Sequence, residues 1–421
     1  MIEKPKLFLD YREFLAIFAI SVTLLGIRLW VIYGEYKEFV SKPFYYTYVE
    51  VLQQYQKHKD RRNYTVLRVY SPSLDLNFFT KTYQDDNFLD KRVRLKLFPS
   101  KDISFLEYMS ISYIPSKINA IYKKEPTLKD IVSNYISKQH TSKEIANFYQ
   151  AIFLAKPLPK ELRDSISRLG VSHLIALSGF HLAILSGILF FIFRPIYRLV
   201  QQRFFPYRFD LIDIGFVVLL FLGWYVWFVN SPASLLRSYM MMVIGWIVVV
   251  MGIELVSFEF LATIVMILVL SLPKMLFSMA FWFSVLGVFY IFLLIKRFNN
   301  SNKIVMSLVI SFGIFILMLP IIHLVFPTVS SLQLLSPILS LVFSIFYPLS
   351  MILHIFGVGC FFDEYLLSLL NLSSHTTEIV YSWYFGAFYI ALSIGAIFYR
   401  WLFYLLCLVA MIFMIYIYFM V

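Results

Sequence analysis

Charge is scarce in this chain: 15% of its residues are Asp, Glu, Lys or Arg, against 60% that are hydrophobic. Soluble domains are about a quarter charged and about half apolar, so one water-soluble core cannot absorb the excess. Cysteine is nearly absent. Cys360 and Cys407 form no C-x-x-C pair and no metal-ligand spacing, which leaves the redox compartment open. No Walker A sequence occurs, so ATP hydrolysis by such a site is excluded. There is no H-E-x-x-H and no H-x-H-x-D-H, and the seven histidines are scattered. No metal site, cofactor or catalytic residue is therefore expected, and the chain does not read as an enzyme. No cleavable signal peptide is evident either. The apolar run 14–33 is too long for a signal core and lacks a small-residue cleavage site. No internal repeat is visible.

What is present is a series of apolar blocks of about twenty residues, the length that crosses a bilayer. The expected fold class is a polytopic α-helical membrane protein of about ten spans, one of them broken or re-entrant, with a small OB-like β-barrel domain outside the cytoplasm. Residues 1–33 read as a basic leader (Lys4, Lys6, Arg12) and first anchor, 34–125 as the OB-like domain, 126–170 as amphipathic interfacial helices, and 171–421 as a transmembrane channel domain. Spans after the first are expected near 171–193, 209–229, 236–253, 257–272, 275–295, 304–326, 332–356, 380–399 and 401–420. The loops holding Arg194, Arg198, Arg203 and Arg208, and Lys296, Arg297 and Lys303, are basic and belong on the cytoplasmic side. That puts the N-terminus inside and 34–170 outside. The stretch 332–356 carries Pro337 and Pro348. The stretch reads as one kinked span or a hairpin of two half-spans, and the loop after it, with acidic residues and no Lys or Arg, favours the hairpin with both ends outside. The net charge of +12 is mostly this orienting excess; the surplus suits a polyanion or anionic lipid.

In the outer region, 64–70, 76–83, 91–98, 109–114 and 118–122 read as strands, punctuated by turns such as Asp85-Asp86-Asn87. Arg92, Arg94 and Lys96 alternate with Val93, Leu95 and Leu97, which shows three cations on one face. Such a face is either simply solvated or a track for phosphates. In 127–168, Ile131 and Tyr135, and Ile145, Phe148 and Ile152, share apolar faces opposite lysines.

Polar groups inside a bilayer are costly and concentrate at function or at helix contacts. The densest set is the run Gly170-Val171-Ser172-His173-Leu174-Ile175-Ala176-Leu177-Ser178-Gly179-Phe180-His181. On one continuous helix His173 and His181 share a side, and Ser178 meets His181. Ser178-Gly179 and Ser186-Gly187 repeat at a spacing that admits a neighbouring helix. A second cluster is Ser231-Pro232-Ala233-Ser234-Leu235-Leu236-Arg237-Ser238-Tyr239-Met240, with a turn, a helix start and an arginine that either snorkels or meets phosphate. A third is Pro273 to Gly287. His323 and His354 read as lone packing histidines.

The run Gly170–His181 resembles the signature of the ComEC competence family, inner-membrane channels for DNA uptake, whose pattern is roughly G-[LV]-S-H-L-L-A-[IL]-S-G-[LF]-H. Ser231–Met240 resembles the family's S-x-x-R-[AS]-x-x-M segment. Pro273–Gly287 resembles its proline-aromatic segment, with Phe283 in place of the usual Leu and Val285 after Ser284. The resemblance covers nearly the whole chain. It departs at Gln333-Leu334-Leu335-Ser336-Pro337, where relatives carry Asn. Many relatives also bear a C-terminal metallo-β-lactamase-like domain, so strand degradation is expected from a separate nuclease. The resemblance implies a multi-pass protein of the cytoplasmic (inner) membrane that passes single-stranded DNA during natural transformation. The expected path is lined by His173, Ser178, Gly179, His181 and Arg237, with Arg92, Arg94 and Lys96 binding DNA on the outer domain. Implied partners are single-stranded DNA, a ComEA-like extracytoplasmic DNA receptor, a cytoplasmic motor or DNA-binding proteins, and membrane lipids. The competing readings are an intramembrane serine protease with Ser178 as nucleophile, where Ala176 replaces the rhomboid-type glycine, and a lipid or small-solute transporter.

Overall fold

The computed structural model describes residues 8, 10–59, 62–84, 86–89, 91–123, 127–252, 257–298, 302–372 and 375–420. Lys4, Lys6 and Asp85 lie outside the described residues. The chain forms two compact units, Phe8–Leu128 with Thr263–Phe281, and Lys129–Ala262 with Trp282–Val421.

In the first unit, helix α1 (Tyr11–Ser41) runs past the expected end at residue 33. Nothing in the sequence stops it before Lys42-Pro43, where the proline forces the preceding residue out of the helical region. Phe39, in its last turns, stacks on Tyr45 at 5.1 Å and enters the core of the β-domain. That domain is a six-stranded sheet of order β5-β3-β2-β1-β4-β6. Its strands are β1 (Tyr45–Lys59), β2 (Arg62–Ser71), β3 (Leu76–Thr82), β4 (Lys91–Leu97), β5 (Ser112–Tyr113) and β6 (Ser116–Lys123). Val49, Leu67, Val69, Phe78, Val93, Leu95 and Leu97 alternate inward to build the core. The longest strand, β1, is absent from the sequence expectation because its tyrosines and glutamines resemble loop composition. It pairs with β4 through Tyr45–Glu50 and with β2 through Glu50–Lys59. The expected strand 109–114 is corrected to a short helix α2 (Phe105–Met109) followed by the two-residue β5. Ser104 and Glu107 close a capping box there, which fixes helix over strand. Among the described residues no ladder joins β5 to β6, so closure into a barrel is not observed there.

The second unit holds α3 (Leu128–Ser137), α4 (Lys143–Leu154), α5 (Lys160–Arg168), α6 (Ser172–Ile175), α7 (Gly179–Phe204), α8 (Asp210–Phe228) and α9 (Ala233–Val250). After α10 (Phe258–Ser271), which the two units share, follow α11 (Met279–Arg297), α12 (Lys303–Val325), α13 (Ser336–Ile355), α14 (Asp363–Leu370), α15 (Trp383–Phe398) and α16 (Arg400–Ile415). Among the described residues, seven helices are long and apolar enough to cross a membrane. They are α1, α7, α8, α11, α12, the stretch Ser331–Ile355 and the stretch Arg400–Phe419, with three shorter apolar helices besides.

Two expectations are corrected here. Helix α4 does not lie on a surface. Ile145, Phe148 and Ile152 are buried in a core with α5, α6, α13 and α14, each contributing about 1.5–3 kcal/mol over exposure to water. Only α3 keeps its apolar residues Ile131 and Tyr135 exposed. Secondly, 332–356 is not a hairpin of two half-spans, because α13 continues through Pro348 as one helix. The return is made by a 3-10 turn (Gly359–Phe362) and α14. Strand β7 (Thr328–Ser330) then pairs with β8 (Thr376–Glu378), so the excursion begins and ends side by side.

Candidate functional site

The Gly170–His181 run is not one helix. Helix α6 ends after Ile175, Ala176 is extended (φ −66, ψ 121), and α7 starts at Gly179 with Ser178 (φ −139, ψ 179) before it. Serine favours that position because its side chain competes with helical backbone bonds and suits a cap. His181, three residues on, reaches back: the Ser178 amide donates to His181 Nδ1 at 3.3 Å, and Ser178 Oγ lies at 3.3 Å from the same nitrogen. The expected Ser178–His181 contact is therefore present, but as a helix cap. The expectation that His173 and His181 share one side of one helix is corrected by the break.

The break separates their surroundings. His181 is fully buried, edge-on to Tyr347 (4.8 Å) and Phe343 (5.4 Å) of α13. His173, by contrast, is exposed on the unit's surface. Its Nε2 lies 3.4 Å from Ser340 Oγ of α13. Helix α13 is fastened at the start of the motif: Ser336 Oγ donates to the Gly170 carbonyl at 3.1 Å. Gly170 is left-handed (φ +69), and a Cβ there would meet Gln333 Cβ, Cγ and Cα at 3.2–3.3 Å. The Gln333 that departs from the family pattern thus packs on the motif's first glycine, held by Tyr418 Oη, which donates to Gln333 Oε1 at 3.0 Å. Ser340, Phe343 and Tyr347 were missed from sequence. Their signal was the spacing of Ser336, Ser340 and Ser344, a polar stripe at intervals of four in an apolar helix.

Helix α9 closes the other side. Ser234 Oγ donates to the Leu177 carbonyl at 2.7 Å, and a Cβ on Gly179 would meet Ser238 Oγ at 3.0 Å. Only half of the small-residue repeat makes a close approach, because a Cβ on Gly187 would meet nothing within 4 Å. Arg237 stands in the first turns of α9, between these serines, and is 6% exposed. It neither snorkels into water nor presents an open guanidinium. Among the described residues no group of three or more His, Cys, Asp or Glu could hold a metal.

On the β-domain, Arg92, Arg94 and Lys96 do share one face, with Val93, Leu95 and Leu97 buried behind them. The structure adds aromatic partners from β1 and its lead-in. Arg92 lies over Tyr48 (4.8 Å), Arg94 over Tyr46 (5.4 Å) and Lys96 over Phe44 (4.1 Å). All three rings are exposed. They were missed because β1 was not recognised as a strand.

The family model described as Competence protein matches residues 155–420, from the end of α4 to the end of the described chain. The chain belongs to the competence protein family. The match contains the α6–α7 break, α9 and α13, and leaves the cationic face of the β-domain outside it. With seven helices of membrane-crossing length, this member of the competence family is a multi-pass membrane protein with a role in DNA uptake for transformation. No curated protein and no solved structure matches the chain.

Proposed function

We propose that this protein passes single-stranded DNA across the cytoplasmic membrane during natural transformation, with His173, Ser178 and Gly179 at the strand's path. The observation that carries the reading is the broken α6–α7 helix, which leaves an accessible histidine and serines in an apolar unit. A translocating strand needs groups that bind weakly and release. Neutral imidazole and hydroxyl groups meet that need better than an open arginine. His181 and Arg237, both buried, act as supports of the path rather than its lining. Deletion of the gene is expected to abolish transformation while DNA still binds at the cell surface. Uptake that persists in the deletion strain would overturn the reading.

The β-domain is read as OB-like and extracytoplasmic. In support, β5 and β6 are parts of one stretch, 112–123, that borders both edges of the sheet. Its Arg92, Arg94 and Lys96, interleaved with Phe44, Tyr46 and Tyr48, suit a strand whose phosphates meet cations and whose bases stack on rings. Changing all three cations to Ala is expected to weaken single-stranded DNA binding by the detergent-solubilised protein. The logarithmic salt slope should fall by about 2, at roughly 0.7 per phosphate contact. An unchanged slope in a fluorescence-anisotropy titration would remove the face from the path. A ComEA-like receptor delivering the strand, a cytoplasmic motor drawing it in and a separate nuclease complete this reading.

The protease alternative draws on the Ser178–His181 contact. His181 Nδ1 already accepts from the Ser178 amide, so the same nitrogen is poorly placed to take a proton from Ser178 Oγ. The contact favours a cap over a nucleophile and its base.

A further inference from the structure

We propose that Asp363, His140 and His354 form a one-proton clasp that holds α13 in position. His140 comes from the α3–α4 loop, His354 from the last turn of α13 and Asp363 from the start of α14. His354 Nδ1 lies 2.6 Å from the Ser350 carbonyl, His354 Nε2 lies 3.0 Å from His140 Nε2, and His140 Nδ1 lies 3.0 Å from both Asp363 oxygens. The His140 side chain is fully enclosed and that of Asp363 is 11% exposed.

These contacts determine the number of protons. A carbonyl can only accept, so His354 Nδ1 carries hydrogen. Two nitrogens at 3.0 Å require one hydrogen between them. The contact of His140 Nδ1 with a carboxyl group requires another. The two rings and the carboxyl group therefore hold three protons, one more than two neutral histidines and a carboxylate would. In the ionic form, one imidazolium shared by the rings faces one carboxylate, and the cluster is neutral overall. That balance lets it be buried. Once the extra proton is removed, the one hydrogen left on His140 can serve either the His354 contact or the Asp363 contact, and the other is left as facing lone pairs across 3.0 Å.

The surroundings restrict escape. Tyr149 of α4 stacks on His140 at 4.7 Å and lies 4.4 Å from His354, and Phe153 lies 5.1 Å from His354. Gln139 donates to the His354 carbonyl at 3.1 Å and accepts from the Gly359 amide at 2.8 Å, tying the loop across the end of α13. A Cβ on Gly359 would meet His354 Nε2 at 2.7 Å, so the turn closes directly over the ring. The titratable groups brought to the pair are Asp363 from α14, Tyr149 from α4 and Cys360, which acts on Tyr149. Helix α13 carries Ser340, Phe343 and Tyr347 onto His173 and His181. The clasp thus makes His140, His354 and Asp363 positioning residues for that site, closed at low pH and released as pH rises. Its bearing on strand passage rests on the reading proposed above; its proton does not.

Two measurements on the full-length protein in detergent, without DNA, test the clasp apart from that reading. Imidazole nitrogen NMR of histidine-labelled protein at about pH 5 is expected to show one shared imidazolium, lost in His140→Asn and in His354→Gln. The folded state then holds one more proton than the unfolded state through the upper part of the window. Stability therefore falls as pH rises, by up to about tenfold in the folding constant per pH unit. Gln at 354 offers an amide N–H to His140 Nε2 and closes the contact without the extra proton. His354→Gln is expected to lose the fall in melting temperature between about pH 6.5, the ordinary imidazole pKa, and about pH 8. Two neutral rings at the low-pH end, or an unchanged pH slope in His354→Gln, would overturn the proposal. If that variant does not accumulate, the spectrum of the natural protein decides alone.

Discussion

His173→Ala is expected to leave the protein as abundant and as heat-stable as the natural chain while transformation falls tenfold or more. His181→Ala is expected to do the reverse at the first step and lose abundance. The difference follows from the α6–α7 break. His173 is exposed and its contact with Ser340 is long, at 3.4 Å, so truncation costs stability no more than about 0.5 kcal/mol. On the proposed reading it removes a hydrogen-bonding group towards a passing phosphate, worth about 1.5–3 kcal/mol when one partner is charged. His181 is wholly enclosed, against Phe343 and Tyr347. Its removal opens a cavity and strips the cap from Ser178, together about 2–5 kcal/mol. Membrane abundance by immunoblot and thermal stability in detergent, read beside transformation frequency, separate the two. Normal uptake in an abundant His173→Ala variant would remove His173 from the path. Normal stability in His181→Ala would return His181 to it.

Gly170→Ala is expected to destabilise by about 2–5 kcal/mol, and Gly187→Ala to stabilise by up to about 1 kcal/mol. At Gly170 the left-handed backbone costs a residue with a Cβ about 1–2 kcal/mol. The added carbon also meets Gln333, including its Cα, which cannot swing aside; such overpacking costs about 1–3 kcal/mol. The displaced segment carries Ser336, whose hydroxyl holds the Gly170 carbonyl, so α13 is expected to shift and uptake to fall with stability. Gly187 faces open space, and a helix-interior alanine there is favoured over glycine by about 1 kcal/mol. Equal melting temperatures for Gly170→Ala and the natural protein would show that α13 is not anchored through this contact.

Sequence alone determined that this is a membrane protein, because apolar runs of bilayer length follow directly from residue content. It also determined the family, because the Gly170–His181 motif is contiguous and needs no folding to be legible. The alternation of Arg92, Arg94 and Lys96 with buried Val93, Leu95 and Leu97 was legible too, since strand periodicity is local. The tertiary structure decided what those residues face. Whether Ser178 sits inside a helix or starts one depends on a cap that competes with helical bonding. A periodicity argument extends the helix through it and puts His173 and His181 on one side. The roles of Arg237 and Gln333 were hidden because burial and partners are set by segments distant in sequence, here α7 against α9 and Gly170 against the stretch before α13. The same reason made His354 look solitary: its two partners, His140 and Asp363, are 214 residues before it and on the next helix after it. Long-range pairing of side chains leaves no local pattern, and only packing brings those three groups to one point.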